Sequence, residues 1–270
     1  LLKENTLKRK LREGKTVYGL FCSIPAPVVV EMIGCAEYDF VIIDTEHVLV
    51  NPETLENMIR AAEAAEITPL VRVADAQPGT ILRALDSGAQ GVVVPHVESR
   101  EQVEQIVRSS RYYPLGTRSL NSGRPGAFGK NDLVAYMERA NEQIMVVPMI
   151  ESKAGVERIA EILDVPGIDM VLEGAADLSQ SLGRPWDTRG ELVKTALASV
   201  QAAAHSRGVP YCAIPRVAED MDGWYEKGVR AFVLGDERGI AFRAMRQQLG
   251  TLRDKEQELR KRERGYESSH

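Results

Sequence analysis

Cysteine is scarce in this chain. Cys22, Cys35 and Cys212 are widely spaced, odd in number and form no CxxC pair. That argues against a disulfide framework and against a thiolate zinc site. Positive charge is not in excess either: 34 Lys and Arg stand against 39 Asp and Glu, for a net charge of −5. Nothing there attracts nucleic acid or an anionic membrane. No apolar run reaches the roughly 20 residues that span a bilayer, and the opening stretch LLKENTLKRKLREGK is too charged for a signal peptide. A reducing, cytoplasmic setting is expected. Glycine-rich phosphate motifs are also missing. No Walker sequence occurs, and Cys22-Ser23-Ile24-Pro25-Ala26-Pro27, after the first strand-like run, is no phosphate-holding turn. Its absence counts against an open, doubly wound sheet, the runner-up architecture.

What the chain has is alternation. Short apolar runs rich in Val and Ile fall at 17–23, 40–44, 69–73, 91–97, 144–150, 170–174, 209–214 and 231–234. They show little polar interruption, the pattern of strands buried on both faces of a parallel sheet. Amphipathic segments separate them. Pro52 precedes Leu55, Met58, Ile59 and Ala62 at helical spacing. Ser99 with Gln102 reads as a capping box, and Ser152 opens another apolar helical pattern through Leu163. Eight strand–helix repeats predict an α/β fold, a closed parallel (β/α)8 barrel, as a single domain over residues 1–270. Residues 252–270 form a charged tail, expected to be an exposed helix that frays. The glycine- and proline-rich stretch 113–130 breaks the pattern and is a candidate lid or substrate loop.

Barrels of this type place chemistry where strands end. The second run ends in Asp44-Thr45-Glu46-His47, the third holds Arg72, the fourth ends in His96, the fifth is followed by Glu151, and the sixth by Gly174-Ala175-Ala176-Asp177. Each has a bland alternative. Arg72 can pair structurally with a strand-end Asp, His47 can be a surface loop residue, and Asp177 can simply favour a helix dipole. His96 is open between a second base, a substrate hydrogen bond and a core residue. Asp86 sits unfavourably near a helix end and is a minor candidate. The convergence of one cation, two imidazoles and several carboxylates is the signal. Glu151 with Asp177 can hold a hard divalent cation, although two carboxylates alone are a weak motif.

The stretches DFVIIDTEH (39–47), PLVRV (69–73), LDSGAQGVVVPHVES (85–99), RYYPLGTRS (111–119), MIESKAGVERIAEILDVPGID (149–169) and GAADLSQSLG (174–183) carry a resemblance. Over roughly residues 19–250 the chain resembles the HpcH/HpaI aldolase family. The resemblance implies a 2-oxo acid aldolase working through a stabilised enolate. His47, assisted by Asp44, would be the general base, and Arg72 would bind the 2-oxo acid. Glu151 and Asp177 would hold Mg2+ or Mn2+. The N–H groups around Gly174, Ala175 and Ala176 would receive the substrate carboxylate, and Asp86 would be a supporting group. It further implies a homo-oligomer, dimer to hexamer, with the C-terminal helix swapped between subunits. No lysine ends a strand, which argues against a Schiff-base mechanism.

The chain departs from the family pattern at Ala175, Glu173, His96 and the 113–130 loop. Glu173 and His96 would add an acid and a base to the pocket rim. These departures resemble a siderophore-pathway branch of the family whose members condense oxaloacetate with acetyl-CoA to citrate and can work without a metal. On that alternative His47, His96 and Glu151 would do the acid–base work, while Arg118 and Arg124 in the loop would meet acetyl-CoA. A third reading is a barrel that only binds a small carboxylate.

Overall fold

In the computed structural model, residues 2–130 and 132–267 are described, with side chains through Arg262. In chain order the elements are α1 (Thr6–Arg12), β1 (Val17–Cys22), α2 (Pro27–Cys35), β2 (Phe40–Asp44), α3 (Pro52–Ala64), β3 (Thr68–Arg72), α4 (Pro78–Asp86), β4 (Gly91–Val94) and α5 (Arg100–Ser110). After a 3-10 turn (Arg124–Gly129) come α6 (Leu133–Gln143), β5 (Met145–Ile150), α7 (Lys153–Glu157), α8 (Ile159–Leu163), β6 (Val171–Glu173) and α9 (Ala175–Ser181). The chain continues through α10 (Glu191–Ser206), β7 (Tyr211–Ala213), α11 (Asp220–Glu226), β8 (Ala231–Asp236) and α12 (Glu237–Glu267). The eight strands pair in sequence order, all parallel, and β8 closes on β1.

Alternate strand residues enter two different cores. Val17, Phe40, Ile42, Leu70, Val93, Met145, Val147, Met149, Leu172, Cys212 and Val233 fill the barrel interior. Their odd neighbours, such as Val41, Ile43, Val71, Val92, Val146, Val171 and Phe232, pack outward under the helices. This two-sided burial is why the strand runs lack polar alternation. Gly19 makes room inside the barrel: a Cβ there would collide with the Phe40 ring.

The bottom of the barrel, where strands begin, is closed by α1. Its Leu7 is fully buried and belongs to the interior core. Asn5 caps α1 through Lys8 N and ties it to the carbonyls of Gln90 and Gln143. Lys8 pairs with Asp169 at 2.6 Å. The helix starts follow the sequence signals: Asn51 caps α3 with Pro52 behind it, and Ser99 with Gln102 completes a capping box on α5.

Some expectations shift. The helix expected through 152–163 is broken at Arg158, which separates α7 from α8. The 113–130 stretch ends in the 3-10 turn, and α6 follows it as a helix that the sequence reading left out. Residues 252–267 continue α12 as one unbroken helix, while 268–270 lie outside the described residues. No helix is long and apolar enough to cross a membrane among the described residues.

Leu7→Ala is expected to lower unfolding stability by about 2–5 kcal/mol, because the barrel floor cannot collapse onto the gap. Leu49→Ala, at a fully exposed position, should stay within about 0.5 kcal/mol of the parent. Urea unfolding of both variants compares them, and equal losses would mean that α1 does not seal the interior.

Candidate active site

The interior parity that places Ile42, Leu70 and Met149 inside the barrel places the next inward positions at its C-terminal mouth. These are Asp44, Arg72 and Glu151. A layer of charge therefore caps layers of hydrocarbon, from the same strands.

Arg72 is 8% exposed and is held on three sides. Its Nε donates to Asp44 Oδ1 at 3.0 Å and its Nη2 to Asp44 Oδ2 at 2.8 Å. Its carbon Cζ lies 4.6 Å from the Phe21 ring centroid. The remaining edge, Nη1, faces Glu46 Oε2 at 3.2 Å. The bidentate pair with Asp44, the bland alternative for Arg72, is thus present, and the edge it leaves is met by Glu46. Burial works against the Asp44 charge. The hydrogen bonds and charge of Arg72 outweigh it and hold the carboxyl below its ordinary range.

Asp44 does not reach the His47 ring. It accepts the backbone N–H groups of Glu46 at 3.1 Å and His47 at 3.3 Å, and the rest of its capacity goes to Arg72. The carboxylate nearest the His47 imidazole is that of Glu46, with Oε2 3.8 Å from Nε2. Glu46 is the residue that sequence reasoning passed over. It belongs to the quoted DTEH segment, but only the folded loop turns its side chain between Arg72, His47 and His96. Its Oε2 is buried without a hydrogen-bond partner.

His96 links the two halves of the site. Its Nε2 lies 3.3 Å from Glu46 Oε1 and its Nδ1 3.4 Å from Glu151 Oε1. Its backbone N–H donates to the same Glu151 oxygen at 2.7 Å. His96 adopts φ +52°, a left-handed conformation that costs a non-glycine residue energy and is characteristic of functional turns. The turn aims both the ring and the N–H at Glu151. Burial pushes the Glu151 carboxyl up, against the His96 hydrogen bond and charge; Glu46 and Asp177 add to the rise. Gly174 lets this carboxylate pack: a Cβ there would collide with Cβ and Oε2 of Glu151. Ala175 and Ala176 open α9, with Asp177 in its first turn.

A divalent ion of this class needs about six oxygen ligands. Glu151 and Asp177 supply two carboxylates, but one Glu151 oxygen is already taken by the His96 N–H. No group of three or more His, Cys, Asp or Glu side chains converges in metal-binding geometry among the described residues. The His96 N–H leaves the second Glu151 oxygen available, so the pair would supply two ligands to an Mg2+ or Mn2+ ion whose other positions water and substrate fill.

Four expected residues stand apart. Arg118 donates to Asp86 at 2.7 Å, stacks over Tyr112 and is buried. The Arg118 charge answers the carboxylate that the end of α4 disfavours, away from the strand ends, while Arg118 Nε and Nη1 lie buried without a hydrogen-bond partner. Arg124 pairs with Glu63 at 2.8 Å. Glu173 does not join the rim. It sits on the outward parity of β6, where it accepts Tyr211 Oη at 2.5 Å and Ile214 N at 2.8 Å.

Burial raises the Glu173 carboxyl above its ordinary range, against the hydrogen bonds from Tyr211 and Ile214. For a raised carboxyl, the stability contribution is full below the unfolded-state value and is lost as pH rises through the folded one. Glu173→Gln removes the charge and keeps the shape. Relative to the parent, the variant is expected to gain urea stability as pH rises above the ordinary carboxylate range. A difference that does not change with pH would mean that Glu173 ionises as freely as an exposed carboxylate.

Comparison with known proteins places this geometry. A 2-oxo acid enzyme, the hydroxypyruvate/pyruvate aldolase of Delftia acidovorans, is 32% identical over 253 residues, 93% of this chain and 94% of that one. The crystal structure of the citrate synthase SbnG superposes with a TM-score of 0.87 at 49% identity, over 92% of this chain and 98% of that one. The citrate lyase beta subunit from M. tuberculosis, solved with oxaloacetate and magnesium, covers 84% of this chain and 94% of its own. At 19% identity and a TM-score of 0.55 it shares the fold. The model of the HpcH/HpaI aldolase/citrate lyase family matches residues 17–242, and the chain is an enzyme of that family.

Proposed function

We propose that this protein condenses oxaloacetate with acetyl-CoA to form citrate. The observation that carries the reading is the seat of His96, with backbone and ring both on the buried Glu151 carboxylate, an acid–base pair at the barrel mouth. The 49% identity to a citrate synthase supports it.

The residues divide the work. Glu151, whose basicity burial increases, removes a proton from the acetyl methyl group. The enolate carbon attacks the ketone carbon of oxaloacetate, a carbon–carbon bond forms, and the ketone oxygen takes up a proton. Water then cleaves the thioester C–S bond, leaving citrate and the CoA thiol. The Nη1 edge of Arg72, shared with Glu46, receives an oxaloacetate oxygen, and the short α9 offers its first N–H groups, at Ala175 and Ala176, to a carboxylate. His47 and His96 supply ring N–H groups to the oxygens on which charge develops. No step passes through a metal. The reaction belongs in the cytoplasm, where three unpaired thiols stay reduced.

The second reading is a divalent-metal 2-oxo acid aldolase, favoured by the activity of the Delftia relative. It would use Glu151 and Asp177 as ligands.

We also infer self-association through α12. Phe242, Met245, Leu249, Leu252 and Leu259 are exposed at spacings that put them on one face. An apolar stripe along a helix of about 46 Å calls for a partner surface, and a second copy supplies one in the manner of a swapped helix. Met245→Glu with Leu249→Glu is expected to reduce the particle mass by light scattering, and an unchanged mass would sink this interface.

Purified protein is expected to release CoA thiol from acetyl-CoA and oxaloacetate, and EDTA should leave the rate unchanged. Glu151→Gln should lower it by about 100- to 10,000-fold. Pyruvate formation from hydroxy-oxo acids that depends on added Mg2+, with no thiol release, would instead establish the aldolase.

A further inference from the structure

Beside the C-terminal ends of β6 and β7 lies a second cavity, of about 210 Å³. It abuts Ala175, one residue from the Gly174 contact with Glu151. Its wall is unusual for a chain of net charge −5. Arg189, Lys194, Arg216 and Lys227 line it, with Trp224 between them.

The acids nearby are largely engaged. Asp220 accepts the backbone N–H groups of Arg216 at 2.9 Å and Val217 at 3.2 Å with one oxygen, and its other oxygen lies 3.4 Å from Arg189. The loop after β7 is therefore pinned, and it presents the Arg216 side chain outward from a fixed backbone. Glu173 is buried and bound to Tyr211 and Ile214. Lys194 reaches only Glu191, at 3.2 Å. The Lys227 ammonium sits 4.9 Å from the Trp224 ring centroid, and Tyr211 backs the same ring at 5.3 Å. An indole backed by Tyr211, with the mobile Lys227 ammonium over its ring and further cations nearby, suits a planar base that displaces the ammonium onto its own phosphates. Aromatic rings stack on bases of any kind, and guanidinium and ammonium groups bind phosphate oxygens with charge-assisted hydrogen bonds.

A pocket for a whole organic ligand spans roughly 300–1,000 Å³. At about 210 Å³ this cavity holds part of a larger molecule, with the remainder lying along the rim. Ala175 and Gly174 stand between the cavity and Glu151. We propose that the cavity binds the adenine and phosphates of the CoA substrate, the base against Trp224 and the phosphates among Arg189, Lys194, Arg216 and Lys227. The inference rests on the citrate-forming reading and supplies what that reading lacks, a site for the thioester's nucleotide. It replaces Arg118 and Arg124 in that role, since Arg118 is buried against Asp86 and Arg124 pairs with Glu63.

The test is direct binding of adenosine 3′,5′-bisphosphate, followed by calorimetry, to the parent, Arg216→Glu and Lys227→Glu, with pyrophosphate as an anion control. Both side chains are exposed, so the substitutions leave the core alone. Each variant is expected to bind the bisphosphate at least about tenfold more weakly, the loss that one charge-assisted contact implies. In turnover the KM for acetyl-CoA should rise by a similar factor, with a much smaller change in the KM for oxaloacetate. Trp224→Ala should weaken bisphosphate but not pyrophosphate. Parent protein that fails to bind the bisphosphate, binds pyrophosphate as tightly, or binds equally in the variants overturns the proposal. Absence of thiol release in the parent overturns the citrate-forming reading, and the binding comparison still decides the cavity.

Discussion

A closed barrel of eight strands leaves no room for water inside. Every second strand residue must point inward and must be apolar until the strand reaches the mouth. That constraint sets both the core and the site. Ile42 precedes Asp44, Leu70 precedes Arg72 and Met149 precedes Glu151, each by two positions on an inward face. The charged groups are held by the packed layers beneath them, so their separation does not depend on loop conformation. Glu151 follows β5 directly, and Glu46, His47 and His96 come from loops that close over these groups.

Burying this much charge is costly unless each group finds a partner. Arg72 is the hub. Its fork is matched by Asp44, its face by Phe21 and its third nitrogen by Glu46. Glu151 has a different solution. It receives the backbone and ring of His96, and burial keeps its carboxyl raised. One carboxylate is thus locked in the ionised form beside a guanidinium, and another stays basic a short distance away. The same division of labour reappears with Glu173, a carboxyl raised by burial but sealed from the mouth by parity.

Much of this was legible beforehand. The βα alternation, eight apolar runs and helix caps at Asn51, Ser99 and Ser152 express local physics, and the strands lie within a few residues of where the runs put them. Asp44, Arg72, His96 and Glu151 were legible because strand ends announce themselves. Asp86 and Arg118 were not separable from the site by spacing, because nothing local says that a helix-end Asp will find a loop Arg. The 3-10 turn and α6 were hidden by the glycine and proline content around 113–130.

The sequence by itself determined the architecture and the family, because burial on two faces imposes a repeating apolar pattern that few folds share. It also determined which residue types reach the mouth. The tertiary structure alone decided their partners. It gave Asp44 to Arg72 instead of His47, set Glu46 among three cationic or imidazole groups, seated His96 on Glu151, and turned Glu173 outward to Tyr211. The physical reason is that pairing depends on angles between strands and turns far apart in the chain. A one-residue change of parity or a left-handed turn moves a side chain to the other side of the barrel wall.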